Sequence, residues 1–295
     1  MKFFKVMLLS IGAVCMSNSI HTEASASTNV FMKEEIPVPV SSKHAAETYI
    51  RSQLLQRTRM IRFQSSNFIM TTDDELKDFV FKVARQRVAG NSTAGDYLRH
   101  IIEAGYFSVD EVSEGTYRYT MQILYKETVE ETNVVDKKIA APVKKVKKMP
   151  AYKRAKYLAE WVVKYLQYDY NYFGSYNTAY EAVQYGRSKC MGYVMLTQKL
   201  FSSAGLKCKV VLGTVPGRGN HAWNAVKIGK KWYYVDTCWM DSYGGTKANL
   251  KYFLFGQKTC KKERTILSGY SVKGISKKDY GEKKYKNTPS RIYLQ

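Results

Sequence analysis

The chain is short of histidine, cysteine and acid. Four histidines and five cysteines occur in 295 residues, and 25 acidic residues stand against 47 basic ones. No two cysteines form a C-x-x-C pair, which argues against a structural zinc site. No acid-rich stretch offers the oxygen cage that calcium needs. An apolar run of the roughly 18 residues that span a bilayer is missing as well. Helix-turn-helix, RNP-like and zinc-finger spacings are absent, so nucleic acid is not an expected partner despite a net charge of +22. That charge points to an anionic surface or polymer, such as cell-wall or envelope material, weighed against the plainer reading of charge kept for solubility. At 45% hydrophobic and 14% aromatic residues the chain is globular.

The first residues read as a processing signal. Lys2 and Lys5 precede an apolar run from Val6 to about Met16, and Ala24-Ser25-Ala26 supplies a small-residue cleavage site. Val14 before Cys15 is too bulky for a lipoprotein signal. Cleavage after Ala26 leaves about 269 of the 295 residues, enough for one large domain or two small ones. The expected location is outside the cell, soluble or wall-associated, with no transmembrane segment. Four cysteines then remain: Cys190, Cys208, Cys238 and Cys260. If one must stay free to react, at most one disulfide is left, and the core must carry stability.

Periodicity divides the rest. Residues 27–42, with Pro37 and Pro39, look like an extended lead. A helix is expected from Lys43 to about Leu55, a strand over residues 60–63, a helix opened by Asp73-Asp74 and stopped by Gly90, and a short helix over 97–104 ended by Gly105. Residues 116–125 alternate as a strand. This 27–125 region reads as small and α+β, and its His44 and His100 as surface or packing residues. From 137 to 156 there are nine basic residues and no acidic ones. Val135, Ile139, Val143 and Val146 give that stretch a helical period with a solvated basic face, Pro142 being its weak point. Pro150 opens the next helix. Seven tyrosines lie between Tyr165 and Tyr185, as packing or as a substrate-facing shelf.

Three residues then fall in an order that carries chemistry. Cys190 opens a strongly patterned helix, with Val194, Thr197, Leu200, Phe201 and Ala204 on one face and Gly205 as its stop. A thiol in the first turn meets the positive end of the helix dipole, which favours the thiolate, and the amides there suit a developing oxyanion. Arg187 and Lys189 add charge. After a strand over 206–214, an irregular loop (Gly213, Pro216, Gly217, Gly219) is expected to deliver His221. Strands over 222–228 and 231–237 pair across Gly229-Lys230, so paired numbers sum to 459. His221 then lies opposite Cys238, with Asp236 its diagonal neighbour on the same face. The trio reads as nucleophile, general base and orienting carboxylate. Cys238, at a strand position, is a rival thiol. Asp241, in the polar stretch after the strand, is a rival carboxylate.

At Cys190-Met191-Gly192-Tyr193, His221-Ala222-Trp223-Asn224 and 232–239 (WYYVDTCW) the chain resembles the transglutaminase-like superfamily, whose papain-like core uses Cys, His and Asp in this order. Tyr168-Asp169 and Tyr252-Phe253-Leu254 are similar to its exported bacterial members. The resemblance covers roughly residues 150–256, more weakly back to 116. It implies an α+β fold, a papain-like core in which a cysteine-bearing helix packs on an antiparallel sheet, preceded by the small α+β region. The catalytic domain would run from 126 to 295. Two positions depart from the family's pattern: Ser188-Lys189 precedes the nucleophile, and Cys238 replaces a threonine. For the oxyanion-hole side chain, Gln184 has papain-like spacing and Tyr168 is the other candidate. The resemblance implies an acyl-enzyme at amide bonds of a protein or peptide substrate, glutamine or another amide. An amine acceptor gives cross-linking; water gives deamidation or proteolysis, so a cysteine protease stays open. That chemistry requires no metal and no organic cofactor. A non-catalytic basic module binding an anionic surface polymer is the competing class. Its support includes the stretch from Lys258 to Lys286, with ten basic and three acidic residues, which reads equally as a solvated edge.

Overall fold

Three helices of this protein begin on the same T-x-x-E signal. Thr72, Thr128 and Thr178 each accept a hydrogen bond from the backbone N–H of the glutamate three residues on, and Glu75, Glu131 and Glu181 each accept one from the threonine's own N–H. Two otherwise orphaned amides are satisfied at each start. The structure is a computed structural model describing residues 37–170, 177–241 and 248–281. The leader, residues 27–36 of the expected lead, Tyr172, Tyr176 and the end of the basic tail lie outside the described residues.

The first half contains β1 (Val38–Pro39), α1 (Lys43–Leu55), β2 (Met60–Ser65), α2 (Asp73–Ala84), α3 (Asp96–Ile101), β3 (Ile102–Ser113) and β4 (Thr116–Tyr125). Its sheet has the order β1-β2-β4-β3. The helix expected over 97–104 stops at Ile101, and Gly105 lies inside β3, opposite Ile123. Sheet pairing wins there because β3 finds a full partner in β4. Gly105 serves close packing instead of helix termination: a Cβ would meet the Phe107 ring at 2.9 Å.

Next come α4 (Val129–Val146), α5 (Ala151–Tyr165), β5 (Gln167–Tyr168), α6 (Ala179–Tyr185), β6 (Arg187–Ser188) and α7 (Cys190–Ser203). The basic helix α4 begins eight residues before Lys137 and carries Pro142 inside it. Val135, Ile139, Pro142 and Val146 are buried, while Lys137, Lys138, Lys144 and Lys145 face solvent. The described part ends with β7 (Cys208–Val215), β8 (Gly219–Ile228), β9 (Lys231–Val235), α8 (Thr237–Met240), a 3₁₀ turn (Leu250–Tyr252), β10 (Phe253–Phe255), α9 (Gln257–Glu263) and β11 (Thr265–Ile266). Five strands in the order β10-β9-β8-β7-β11 form an antiparallel sheet. Residues 192–201 of α7 are all buried. The α+β, papain-like arrangement of a cysteine-bearing helix against an antiparallel sheet is present.

Several local expectations change. His221 sits within β8, paired with Gly213, because only residues 216–218 separate β7 from β8. The 459 register holds from Ile228–Lys231 to Asn224–Val235 and then ends. Cys238 therefore does not pair with His221 and belongs to α8. The basic segment after Lys258 is folded onto the sheet as far as it is described. Gln257 N–H bonds to Ser276 O at 2.8 Å, and Tyr280 N–H to Leu254 O at 3.0 Å.

Candidate active site

Cys190 is the first residue of α7, and no side chain caps this helix start. Gly192 N–H turns back onto Lys189 O at 3.1 Å, which leaves the amides of Cys190 and Met191 as the outward donors. The thiol is half-buried at the mouth of an otherwise buried helix. Its position is set from behind by β6, which pairs with β5 through Gln167–Arg187 and Tyr168–Ser188. Gly192 is required by this packing. A Cβ there would lie 2.7 Å from the Ser188 Cβ and 3.2 Å from the Ala182 Cβ, with the Ser188 Oγ closer still.

His221 comes from the adjacent sheet. Its ring stacks on Trp239 and Trp223, with centroids 5.1 and 5.9 Å away. Nε2 lies 2.7 Å from Asp236 Oδ2, and the Cys190 sulfur is close enough to the ring to act on its proton. With Nε2 committed to the carboxylate, Nδ1 is the nitrogen left to the thiol. Burial disfavours a charged imidazole. The Asp236 charge and hydrogen bond, with the Cys190 sulfur, outweigh it and pull His221 up to about 9.

Asp236 ends β9 and caps α8: its Oδ1 accepts from Trp239 N–H at 3.0 Å. Oδ2 accepts from His221 and also from Arg264 Nη2 at 2.8 Å. Both Asp236 and Arg264 side chains are without exposed surface. Burial pushes this carboxyl up, but His221 and Arg264 hold it below the ordinary aspartate value. The sheet, one helix start and one cap thus bring Cys190, His221 and Asp236 together.

The rivals sit elsewhere. Cys208, Cys238 and Cys260 are buried free thiols. Burial raises all three, Cys260 to about 11. Asp241, the rival carboxylate, is held by other partners: Tyr193 Oη donates to it at 2.6 Å, and the Tyr168 backbone N–H donates as well. Gln184 is an exposed residue near the end of α6. Tyr168 is half-buried, and its phenol, raised by burial and by the charges of Cys238, Cys190 and Asp236, stays protonated as a donor near the site. His44 is exposed, and His100 is buried with its ring lowered to about 3 by desolvation. Neither belongs to the site.

Arg264 is the participant that sequence reasoning missed. One local signal marks it: every other basic residue from Lys227 to Lys286 is lysine, and a buried carboxylate favours the planar fork of arginine. Among the described residues no cluster of three or more His, Cys, Asp or Glu could hold a metal ion, and no helix is long and apolar enough to cross a membrane.

Comparison with known proteins fits this geometry. Residues 137–237 match the family described as the transglutaminase-like superfamily. Over this segment the chain is similar to the transglutaminase-like superfamily. The match starts inside α4 and ends one residue beyond Asp236, so Tyr252-Phe253-Leu254, expected to share the resemblance, falls outside it. No curated protein matches the chain. Among solved structures it is similar to a TGase, at 16% identity and a TM-score of 0.36, over 74% of this chain and 62% of that one. It is also similar to a protein of Cytophaga hutchinsonii assigned as a cysteine protease, at 16% identity and a TM-score of 0.27, over 51% and 64%. The chain spans less than two thirds of the length of either structure.

Proposed function

We propose that this transglutaminase-like protein is a secreted thiol enzyme that cleaves or transfers acyl groups at amide bonds of protein or peptide substrates. The observation that carries the proposal is one imidazole shared by a carboxylate and a thiol. Asp236 takes Nε2 at 2.7 Å, and the Cys190 sulfur at the start of α7 acts on the same ring. His221, raised to about 9, carries the proton of the Cys190–His221 pair, and the sulfur attacks the substrate carbonyl carbon as a thiolate. The oxyanion forms where the uncapped first turn of α7 presents N–H donors. His221 then protonates the departing amine or ammonia, leaving a thioester on Cys190. An amine or water gives its proton to His221 and attacks that thioester, which restores the thiol. Asp236 keeps the ring oriented and stabilises its charged form throughout. An amine acceptor makes the protein a TGase; water makes it a deamidase or cysteine protease. The chemistry uses no metal and no organic cofactor. Export rests on the basic, apolar and small-residue order of residues 1–26.

The test begins with iodoacetamide near neutral pH and mapping of the adducts. Selective labelling of Cys190 that is lost in His221→Ala is expected; labelling no faster than at Cys208 or Cys260 would refute the proposal. A glutamine peptide with a labelled amine then separates acceptors, by comparing amine incorporation with release of ammonia or peptide. One observation favours a second reading, binding to an anionic surface polymer. Lys137, Lys138, Lys144, Lys145, Lys147 and Lys148 are all exposed on and just after α4. Binding to anionic wall polymer that is abolished by high salt and unchanged in Cys190→Ala would support it.

A further inference from the structure

We infer that Arg264, supplied from beyond the family-matched segment, is a positioning residue that sets the charge of the Asp236–His221–Cys190 chain. The inference rests on the thiol-enzyme reading above. Arg264 lies between α9 and β11, 28 residues after Asp236 in the chain. Two attachments bring it in. Arg264 N–H bonds to Cys260 O at 2.8 Å, and Thr265 pairs with Thr214 at the edge of β7. Its guanidinium has no exposed surface. It is enclosed by aromatic rings: Trp239 at 4.0 Å, Phe255 at 4.8 Å, Tyr252 at 5.1 Å and Trp223 at 5.5 Å. Trp239 and Trp223 are the same rings that stack on His221. Nη2 shares Asp236 Oδ2 with His221 Nε2, and Nη1 reaches Glu263 at 3.2 Å.

Such a cation does two things. It fixes the carboxylate between two donors, so that only one oxygen direction remains for the imidazole. It also cancels the Asp236 charge, and in a site shielded from water a fixed positive charge weakens proton binding by every neighbour. The groups that face this carboxylate are His221 on β8, Cys238 on α8, Cys260 on α9 and the Tyr168 phenol on β5, with Cys190 on α7 beside His221. Beyond Arg264 stand Glu263, with Lys251 on it at 2.6 Å, and Tyr252. Burial keeps Cys238, Cys260, Tyr168 and Tyr252 protonated at neutral pH. Asp236, held below the ordinary aspartate value, is ionised there as well, so the proton on which Arg264 bears is the one at His221. A side chain that only plugs an aromatic pocket would leave the binding of that proton unmoved.

The test follows the pH profile of Cys190 alkylation by iodoacetamide, together with the NMR titration of the His221 ring, in the full chain. Arg264→Gln is expected to move both upward by about one pH unit, since a positive charge has been removed. Arg264→Lys keeps the charge, and both curves should stay within about 0.3 unit of wild type while the alkylation rate falls as the fork is lost. Glu263→Gln removes a half-exposed negative charge next to the guanidinium, so both curves should move down by about 0.3 unit. That last variant leaves the buried pair intact and serves if Arg264→Gln does not fold. A folded Arg264→Gln with unshifted curves overturns the inference; so does an unshifted Glu263→Gln where Arg264→Gln is unfolded. A wild-type Cys190 whose labelling ignores His221 overturns the enzymatic reading instead. The His221 titration still judges Arg264 in that case.

Discussion

Replacing Asp236 by asparagine removes one charge and almost no volume, and its cost can be worked from the contacts. Oδ2 serves two donors, His221 Nε2 at 2.7 Å and Arg264 Nη2 at 2.8 Å, while Oδ1 serves Trp239 N–H at 3.0 Å. An amide has one accepting atom. Turned toward His221 and Arg264, it presents its NH2 to the Trp239 N–H, and the cap of α8 is lost. Turned the other way, it presents NH2 to two donors. The first orientation costs less, about 1 kcal/mol for the cap. Larger is the loss of the carboxylate from a guanidinium without exposed surface. Breaking a buried pair costs about 3–5 kcal/mol, and the low end applies because Arg264 retains Glu263 at 3.2 Å. The sum of about 4 kcal/mol lowers Tm by about 8–16 °C for a domain of this size. Thermal unfolding followed by circular dichroism at pH 6 measures it. Adding Arg264→Met to Asp236→Asn should recover part of the loss, because the orphaned cation goes too. A single variant melting within about 2 °C of wild type would refute the electrostatic account, since even 1 kcal/mol shifts Tm by that much.

Other outcomes follow from single contacts. The His221 ring is raised from 6.5 to about 9, so its contribution to stability is complete below 6.5, declines as pH rises, and is gone above about 9. Asp236 is lowered, so its contribution is present above 3.8 and is lost as pH falls through the lower folded value. Urea midpoints should thus fall on both sides, and His221→Gln should flatten the alkaline fall. Gly192→Ala forces a Cβ into Ser188 and should cost about 1–3 kcal/mol by overpacking; adding Ser188→Gly should recover much of it in the same melts. Lys199, in the middle of α7, is fully buried, with Nζ on Thr93 at 2.6 Å and on Asp136 at 3.1 Å. Asp136 is partly exposed and can return to water, so Lys199→Met should change stability by less than about 1 kcal/mol, whereas Lys199→Ala opens a cavity costing about 2–5 kcal/mol. Equal losses in the two Lys199 variants would show that the charge, not the volume, matters there.

What the sequence made legible was local. Gly229, with φ of 58°, makes the two-residue turn that its position between apolar strands implied, and the register follows from it through Asn224–Val235. The same alternation cannot reveal where a strand stops. Asp236 leaves the strand because its side chain captures the Trp239 N–H and starts a four-residue helix, and that carries Cys238 away from the place extrapolation gave it. Glycine misled the reading twice, each time by having a packing role. Gly213 looked like loop but is a strand residue, since a Cβ would meet the Trp223 ring at 2.5 Å and the incoming Thr265 carbonyl. Gly105 looked like a helix stop and is crossed by Phe107. Pro142, the weak point of the helix expected there, is carried inside α4 on its buried face. Arg264 was illegible for a different reason. Its neighbours Lys261, Lys262 and Glu263 read as a solvated run, and it takes the bond of Arg264 N–H to Cys260 O and the pairing of Thr265 with Thr214 to turn the arginine inward.

Charge conservation connects these features. Moving a proton from Cys190 to His221 creates a thiolate and an imidazolium, so the total charge of the pair does not change. The carboxylate that favours this transfer would by itself leave a buried site at minus one, a state that invites a stray proton and discourages folding. Arg264 cancels that charge at 2.8 Å, and the aromatic walls exclude the water that would otherwise screen it. The site is then close to neutral before and after the transfer. Neither protonation state requires the surroundings to reorganise around a new net charge, and that condition favours fast proton transfer in a dry, preorganised setting. The arginine lies outside residues 137–237, so the matched core supplies the reacting groups while a later segment supplies the charge that lets them stay buried.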